Sequence, residues 1–303
     1  MRILVSGATG LIGRALCAAL DARGDAVVTL VRPGTRPLAG TTVSWNPTER
    51  SINMAELEGL GTIDAVVHLA GAGIADKRWT AARKAEIRDS RIDGTSTLAS
   101  AVATLTTKPR VFVSGSAIGW YGSRGDEVLD EGSTAGDGFL AEVCAAWEDA
   151  ATASSEAGIR TVLARTGIVL STSGGALAKQ LPLFRAGIGG RLGPGSQWTS
   201  WISIEDEVRA LLALIDDERY EGPVDLVAPA PVRNAELTKA LARALHRPSV
   251  LPVPAAALKV ALGAELVDEA LLASQRVVPT VLLAHGFAFA HPDIDGALAA
   301  LLG

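Results

Sequence analysis

Along the first third of the chain, short apolar runs alternate with stretches whose apolar residues recur every three or four positions. Ile3–Ser6, Ala26–Val31 and Ala65–Ala70 are of the first kind. They are too short for buried helices and almost unbroken by polar residues, so they predict strands buried on both faces. Within Leu11–Ala22, Ile12, Ala15, Leu16, Ala19 and Leu20 fall at helical spacing, and Gly24 is the expected stop. Trp79–Leu105 predicts a long helix, Val111–Ser114 and Thr161–Ala164 two further buried strands, and Leu140–Ala153 the helix between them. Strands alternating with helices in this way predict an α/β fold, a Rossmann-type doubly wound parallel sheet.

Beyond residue 170 the texture changes. Gly187, Gly189, Gly190, Gly193 and Gly195 with Pro194 mark a loop-rich stretch. A helix over Ile204–Ile215, a short strand over Val224–Val227 and a helix Ala235–His246 capped by Asn234 follow. Prolines 248, 252 and 254 break the pattern before a last helical region. The expected division is a nucleotide-binding domain over residues 1–170 and a smaller C-terminal substrate lobe over 171–303. Segments around 200–230 are expected to return to the first domain. No internal repeat or low-complexity linker interrupts the chain.

Composition narrows the function classes. Among 303 residues, 48% are hydrophobic and 20% charged, enough apolar matter for a sizeable core and too much for a disordered chain. Lys and Arg number 28 against 33 Asp and Glu, a net charge of -5, which argues against a dedicated nucleic-acid or anionic-membrane binder. Cys17 and Cys144 match no metal spacing and read as buried thiols of a reducing cytoplasm; His285 and His291 are too isolated to suggest a metal site. Met1-Arg2 runs straight into Ile3–Val5 and then glycines, leaving no room for a signal peptide, and Lys259 and Gly263 interrupt the apolar stretch near Leu258–Leu262. The expectation is a cytoplasmic protein acting on a small molecule, with no metal.

The chemistry is concentrated at the first turn. Gly7-Ala8-Thr9-Gly10-Leu11-Ile12-Gly13 lies between a predicted strand and a predicted helix. Glycines at that place allow a tight turn, let backbone N–H groups approach a pyrophosphate, and let the helix pack on the strand. The helix N-terminus adds partial positive charge facing the anion. At the end of the second strand an acidic residue would bind the ribose of NAD, whereas this chain has Arg32, followed by Arg36. Arginine there accommodates a 2′-phosphate, so the expected cofactor is NADP.

These motifs, with His68-Leu69-Ala70-Gly71 and Ser114–Gly122, resemble the extended short-chain dehydrogenase/reductase superfamily. Trp79 with Glu86–Arg91, Phe139–Cys144 leading to Trp147-Glu148, Arg165–Leu170 and Trp201–Asp206 resemble its atypical epimerase-family branch, the NAD-dependent epimerase/dehydratase or sugar nucleotide epimerase type. Leu251–Pro254 and Arg276–Pro279 resemble that branch's C-terminal domain of unknown function. The resemblance implies that Gly7, Thr9, Gly10, Leu11, Ile12 and Gly13 hold the pyrophosphate and Arg32 the 2′-phosphate. It places Leu69 and Ala70 under the adenosine and ribose, Glu86 and Arg91 toward the cofactor from the long helix, and Val169 beside the nicotinamide.

One part of that family's apparatus is missing. Its reductases and epimerases use a Tyr-x-x-x-Lys pair plus Ser or Thr, the lysine lowering the tyrosine's pKa. Here the fourth residues after Tyr121 and Tyr220 are Gly125 and Val224, and no lysine occurs between Lys108 and Lys179. Phe139 and Val143, or Leu140 and Cys144, stand at the expected spacing. Ser116 at the family's serine position and Tyr121 are the remaining catalytic candidates; Trp198 and Trp201 are candidates for a pocket wall. Asp126-Glu127 and Asp130-Glu131 read as a solvated loop. The expectation is an NADP(H)-dependent oxidoreductase or epimerase of an unknown small substrate. The alternative is a non-catalytic protein that senses cofactor state.

Overall fold

The computed structural model describes residues 1–35, 40–249 and 251–303; Arg36 therefore lies outside the described residues. Eight strands form one sheet: β1 (Arg2–Ser6), β2 (Ala26–Val31), β3 (Thr41–Asn46), β4 (Ser51–Ile52), β5 (Ala65–His68), β6 (Val111–Ala117), β7 (Arg160–Thr166) and β8 (Gly222–Leu226). Their order is β8-β7-β6-β5-β1-β2-β3-β4, parallel throughout except for the short antiparallel hairpin β3–β4. The chain builds outward from β1 in one direction through β2 and β3, then returns to its other side with β5. In register, Val5 of β1 lies between Thr29 of β2 and Val67 of β5. That reversal beside β1 leaves a crevice at the carboxyl ends of the strands, where ligands of open α/β sheets bind.

Alternation along each strand decides which helix it meets. Ile3 and Val5 face α1 (Leu11–Ala22), packing with Leu16, Leu20, Leu211 and Leu214. Leu4 faces the opposite layer, where Val66 and Phe112 meet Leu98 and Val102 of α2 (Ala81–Thr104). A separate cluster gathers Leu177, Leu181, Phe184, Trp201, Leu241 and Leu298. Among the described residues no helix is long and apolar enough to cross a membrane.

Three local readings change. The helix expected over Leu140–Ala153 ends at Asp149, as α3 (Phe139–Asp149), and a new turn starts at Thr152. Thr152 Oγ1 donates to the Asp149 carbonyl at 2.6 Å and Ser154 Oγ to the Ala151 carbonyl at 2.6 Å, competing with the backbone ladder. Asn234 is not a cap: it is already helical, and its side chain accepts the Leu192 N–H at 2.8 Å. The helix start is closed instead by Glu236, which accepts the Arg233 N–H at 2.8 Å. Strand β3, with Val43 and Trp45 facing inward, was not anticipated.

Candidate cofactor-binding cleft

The turn from β1 to α1 is built around glycines that no other residue can replace. Gly7 has φ +71°, and a Cβ there would lie 2.7 Å from the Leu69 carbonyl carbon. A Cβ on Gly13 would collide with the Gly7 carbonyl, whose carbon is 2.8 Å from the ideal position. The Gly10 N–H bonds the Gly7 carbonyl at 2.9 Å, and Arg14 Nε donates to the Thr9 carbonyl at 2.8 Å. Gly10 caps α1 without a side chain, so the helix's first N–H groups are left for a ligand.

The facing wall is Leu69–Gly73, fixed from below. Ser6 Oγ accepts the N–H groups of Leu69 at 3.1 Å and Ala70 at 3.3 Å, and lies 2.7 Å from His68 Nδ1. Burial pushes His68 down to about 3, so the ring is neutral at physiological pH. Arg91 Nη1 donates to the carbonyls of Ala72 and Ile87, both at 2.9 Å, and its guanidinium stacks over Trp147 with 5.0 Å to the ring centre. Arg91 thus holds the wall from behind.

Between the two walls lies a cavity of about 760 Å³. Gly7–Gly10, Thr29–Arg32 and Leu69–Gly73 line it, and the polar face of α2 contributes Arg83, Glu86, Asp89, Ser90 and Asp93. Arg32 sits on its rim, just past the end of β2. The turn that follows is closed by the Thr35 N–H on the Arg32 carbonyl at 3.0 Å, with Gly34 at φ +75°. No carboxylate pairs with Arg32 among the described residues. Glu86 faces the cavity but is tied to Arg83 at 2.6 Å. Leu11, Ile12, Gly13, Arg91 and Val169 are not among the lining residues; Ile12 and Val169 pack on the core beneath α1, and Leu11 lies against Gly174 and Gly175.

The hydroxyls of Ser116 and Tyr121 are buried in a separate network. Ser116 Oγ donates to Glu148 Oε1 at 2.6 Å. Arg165 grips the same carboxylate with Nε at 2.8 Å and Nη2 at 2.9 Å, and its Nη1 donates to the Tyr121 hydroxyl at 3.1 Å. Tyr121 in turn donates to Asp225 at 2.8 and 2.9 Å. Burial, aided by Asp225, pushes the Tyr121 phenol above its ordinary value. Burial likewise holds Asp225 well above the usual carboxylate range, with Glu131 adding to it. Neither hydroxyl lines the cavity.

The helix where the Tyr/Lys pair would stand is closed off chemically. Phe139 packs edge-on against Trp79 at 5.1 Å, the Leu140 N–H bonds Glu269 at 2.8 Å, and burial pushes the Cys144 thiol up to about 12. Trp201 is core, its Nε1 donating to the Ala230 carbonyl at 3.1 Å. Trp198 stacks with Arg233 and Arg276 and bonds Asp126 at 2.8 Å, away from the cavity. Glu148, Arg165 and Asp225 escaped the sequence reading. The available signal was Asp225 and Arg165, lone charges inside apolar strands, where a charge persists only if paired.

With this geometry in hand, comparison with known proteins is informative. The model of the NAD dependent epimerase/dehydratase family matches residues 3–226, and that of a domain of unknown function matches residues 253–301. An epimerase family protein of Mycobacterium tuberculosis is 45% identical over 296 residues, covering 98% of this chain and 96% of the relative. The human epimerase family protein SDR39U1 is 34% identical over 301 residues, covering 98% of each. A crystal structure of human SDR39U1 with NADPH superimposes with a TM-score of 0.89 at 31% identity, covering 100% of this chain and 99% of that one. A Thermus thermophilus UDP-glucose 4-epimerase with NAD matches with a TM-score of 0.77 at 19% identity over 100% of this chain and 97% of that one, a likeness of fold alone.

Proposed function

The chain belongs to the NAD dependent epimerase/dehydratase family, and from that premise we propose that its cleft binds NADP(H) and serves hydride transfer in the reductive direction on a small carbonyl compound. The observation that carries the cofactor reading is Arg32. It is a cation with no carboxylate partner among the described residues, opening onto the same cavity as the glycine turn. In this reading Gly7, Thr9, Gly10, Leu11, Ile12 and Gly13 form the diphosphate turn, and Arg32 takes the 2′-phosphate. Leu69 and Ala70 lie under the adenosine and ribose, Glu86 and Arg91 reach toward the cofactor from α2, and Val169 lies on the nicotinamide side. The crystal structure of the human relative holds NADPH, which supports the choice of cofactor.

The cofactor supplies a hydride donor; the chain must supply orientation and a proton. Tyr121, with its phenol raised by burial, is unsuited to act as a base, which disfavours alcohol oxidation at neutral pH. Ser116, fixed by Glu148 and Arg165, is the hydroxyl nearest in sequence to the strand end that faces substrate in the family. A second reading, a protein that binds the cofactor without turning over, is favoured by one observation: both candidate hydroxyls are committed to buried carboxylates.

Two measurements separate the readings. Fluorescence titration of NADPH and NADH tests the cofactor: NADPH should bind roughly 10- to 100-fold tighter, and Arg32→Ala should erase the difference. Equal affinities in the parent protein refute the assignment. A panel of activated carbonyls then tests chemistry. NADPH oxidation weakened by Ser116→Ala supports reduction, whereas tight binding with no turnover leaves the sensing role.

A further inference from the structure

The cavity wall contributed by α2 and by the loop after β5 carries an unusual balance of charge. Four carboxylates line it, and each already has a cation. Glu86 pairs with Arg83 at 2.6 Å, Asp89 with Arg88 at 2.8 Å and Asp93 with Arg50 at 2.5 Å; Asp76 lies 3.8 Å from both Arg83 and Lys179. The cations that line it are Arg32, Lys77 and Arg83. Lys77 forms no ion pair among the described residues, yet it is close enough to Glu86 to help Arg83, the main cause, hold that carboxyl below its usual range.

Arg83 is the second observation. Only 7% of it is exposed, one Nη donates to the Gly73 carbonyl and the other pairs with Glu86, while Nε is buried without any acceptor. A buried guanidinium donor left unmet costs free energy unless an acceptor arrives. Glu86 and the Gly73 carbonyl fix the guanidinium, so an incoming group with several anionic oxygens would meet a pre-set cation at Arg83 and an exposed ammonium at Lys77.

We propose that Lys77 and Arg83 form an anion subsite in this cavity, distinct from Arg32, that takes a phosphate or diphosphate group. Two sources offer that chemistry: the diphosphate of a bound dinucleotide and the phosphate of a free small molecule. The first rests on the cofactor reading above; the second does not.

The test uses inorganic pyrophosphate, titrated by calorimetry into the full chain and into Lys77→Gln, an exposed position whose change spares the fold. The parent should bind pyrophosphate, and Lys77→Gln should weaken it roughly tenfold or more. Arg83→Lys, which keeps the charge and loses the fork, should weaken it as well, while adenosine 2′-monophosphate, a ligand for Arg32, is held by both variants within about twofold of the parent. Repeating the titration with NADPH present assigns the source. Exclusion of pyrophosphate identifies the dinucleotide's own diphosphate; continued binding that still depends on Lys77 identifies a free phosphate. Failure of NADPH to bind would remove the cofactor reading but not the pyrophosphate result. No pyrophosphate binding by the parent, or binding that Lys77→Gln leaves unchanged, overturns the subsite.

Discussion

Glu207 is a carboxyl in the wrong solvent. It is fully buried in α4 (Ile204–Asp216), beneath β7, where Thr166 Oγ1 donates to its Oε1 at 2.9 Å and its Oε2 has no partner. Burial pushes it from its ordinary 4.5 up to about 8. Below pH 4.5 both folded and unfolded chains are protonated here, and the neutral acid contributes its full stability. As pH rises from there, the unfolded chain releases the proton while the folded chain keeps it. Stability therefore falls by about 1.4 kcal/mol per pH unit until the folded group ionises near 8, a swing on the order of 5 kcal/mol. That is a large share of the ~5–15 kcal/mol by which domains are usually stable. Glu207→Gln keeps the shape and the oxygen that Thr166 donates to. Its amide N–H₂ has one more unmet donor than the acid's O–H, a cost that does not change with pH. Urea midpoints for both proteins from about pH 5 to about pH 9 should show the variant gaining on the parent until near pH 8 and levelling beyond it, a relative gain of several kcal/mol. Subtracting the two curves isolates this group from other titrations. A difference that stays flat across that range would refute the reasoning, because an already ionised or solvated Glu207 has nothing to lose.

Other expectations concern the turn and the buried network. Gly13→Ala forces a methyl into the Gly7 backbone and should cost roughly 3 kcal/mol or more while abolishing NADPH binding, read by thermal shift and equilibrium dialysis. Tyr121→Phe leaves Asp225 and an Arg165 N–H unmet, so it should destabilise by about 1–3 kcal/mol with NADPH affinity unchanged. A tenfold loss of affinity in that variant would mean the hydroxyl reaches the cleft.

How much of this was legible depended on whether the physics was local. The glycine turn could be read because its demands are met within seven residues, and the structure shows those demands in the Gly7 φ and the Gly13 contact. The parallel strands were legible because burial on both faces leaves unbroken apolar runs. Strand β3 was missed because it is half exposed, with Thr41 and Ser44 facing solvent, and its alternation covers only six residues. The Ser116–Glu148–Arg165–Tyr121–Asp225 network was invisible for a different reason. Its members come from four separate segments, and their partnership exists only once β6, β7 and β8 lie side by side. The same holds for Lys77 and Arg83: each reads as a solvated charge until the loop after β5 folds back onto α2.

The position of β8 bears on how the chain is made. β7 ends at Thr166, but the strand that covers its outer edge begins only at Gly222, after an excursion through the C-terminal lobe. During synthesis, the seven-residue edge of β7 waits without its hydrogen-bonding neighbour. The Tyr121 hydroxyl waits with it, without Asp225. An unpaired parallel edge invites pairing with other chains. A fragment cut after residue 170 would carry that edge permanently and should be prone to aggregation. The sheet that carries the glycine turn therefore depends on residues translated long after that turn, and the ribosome must reach residue 226 before the sheet can close.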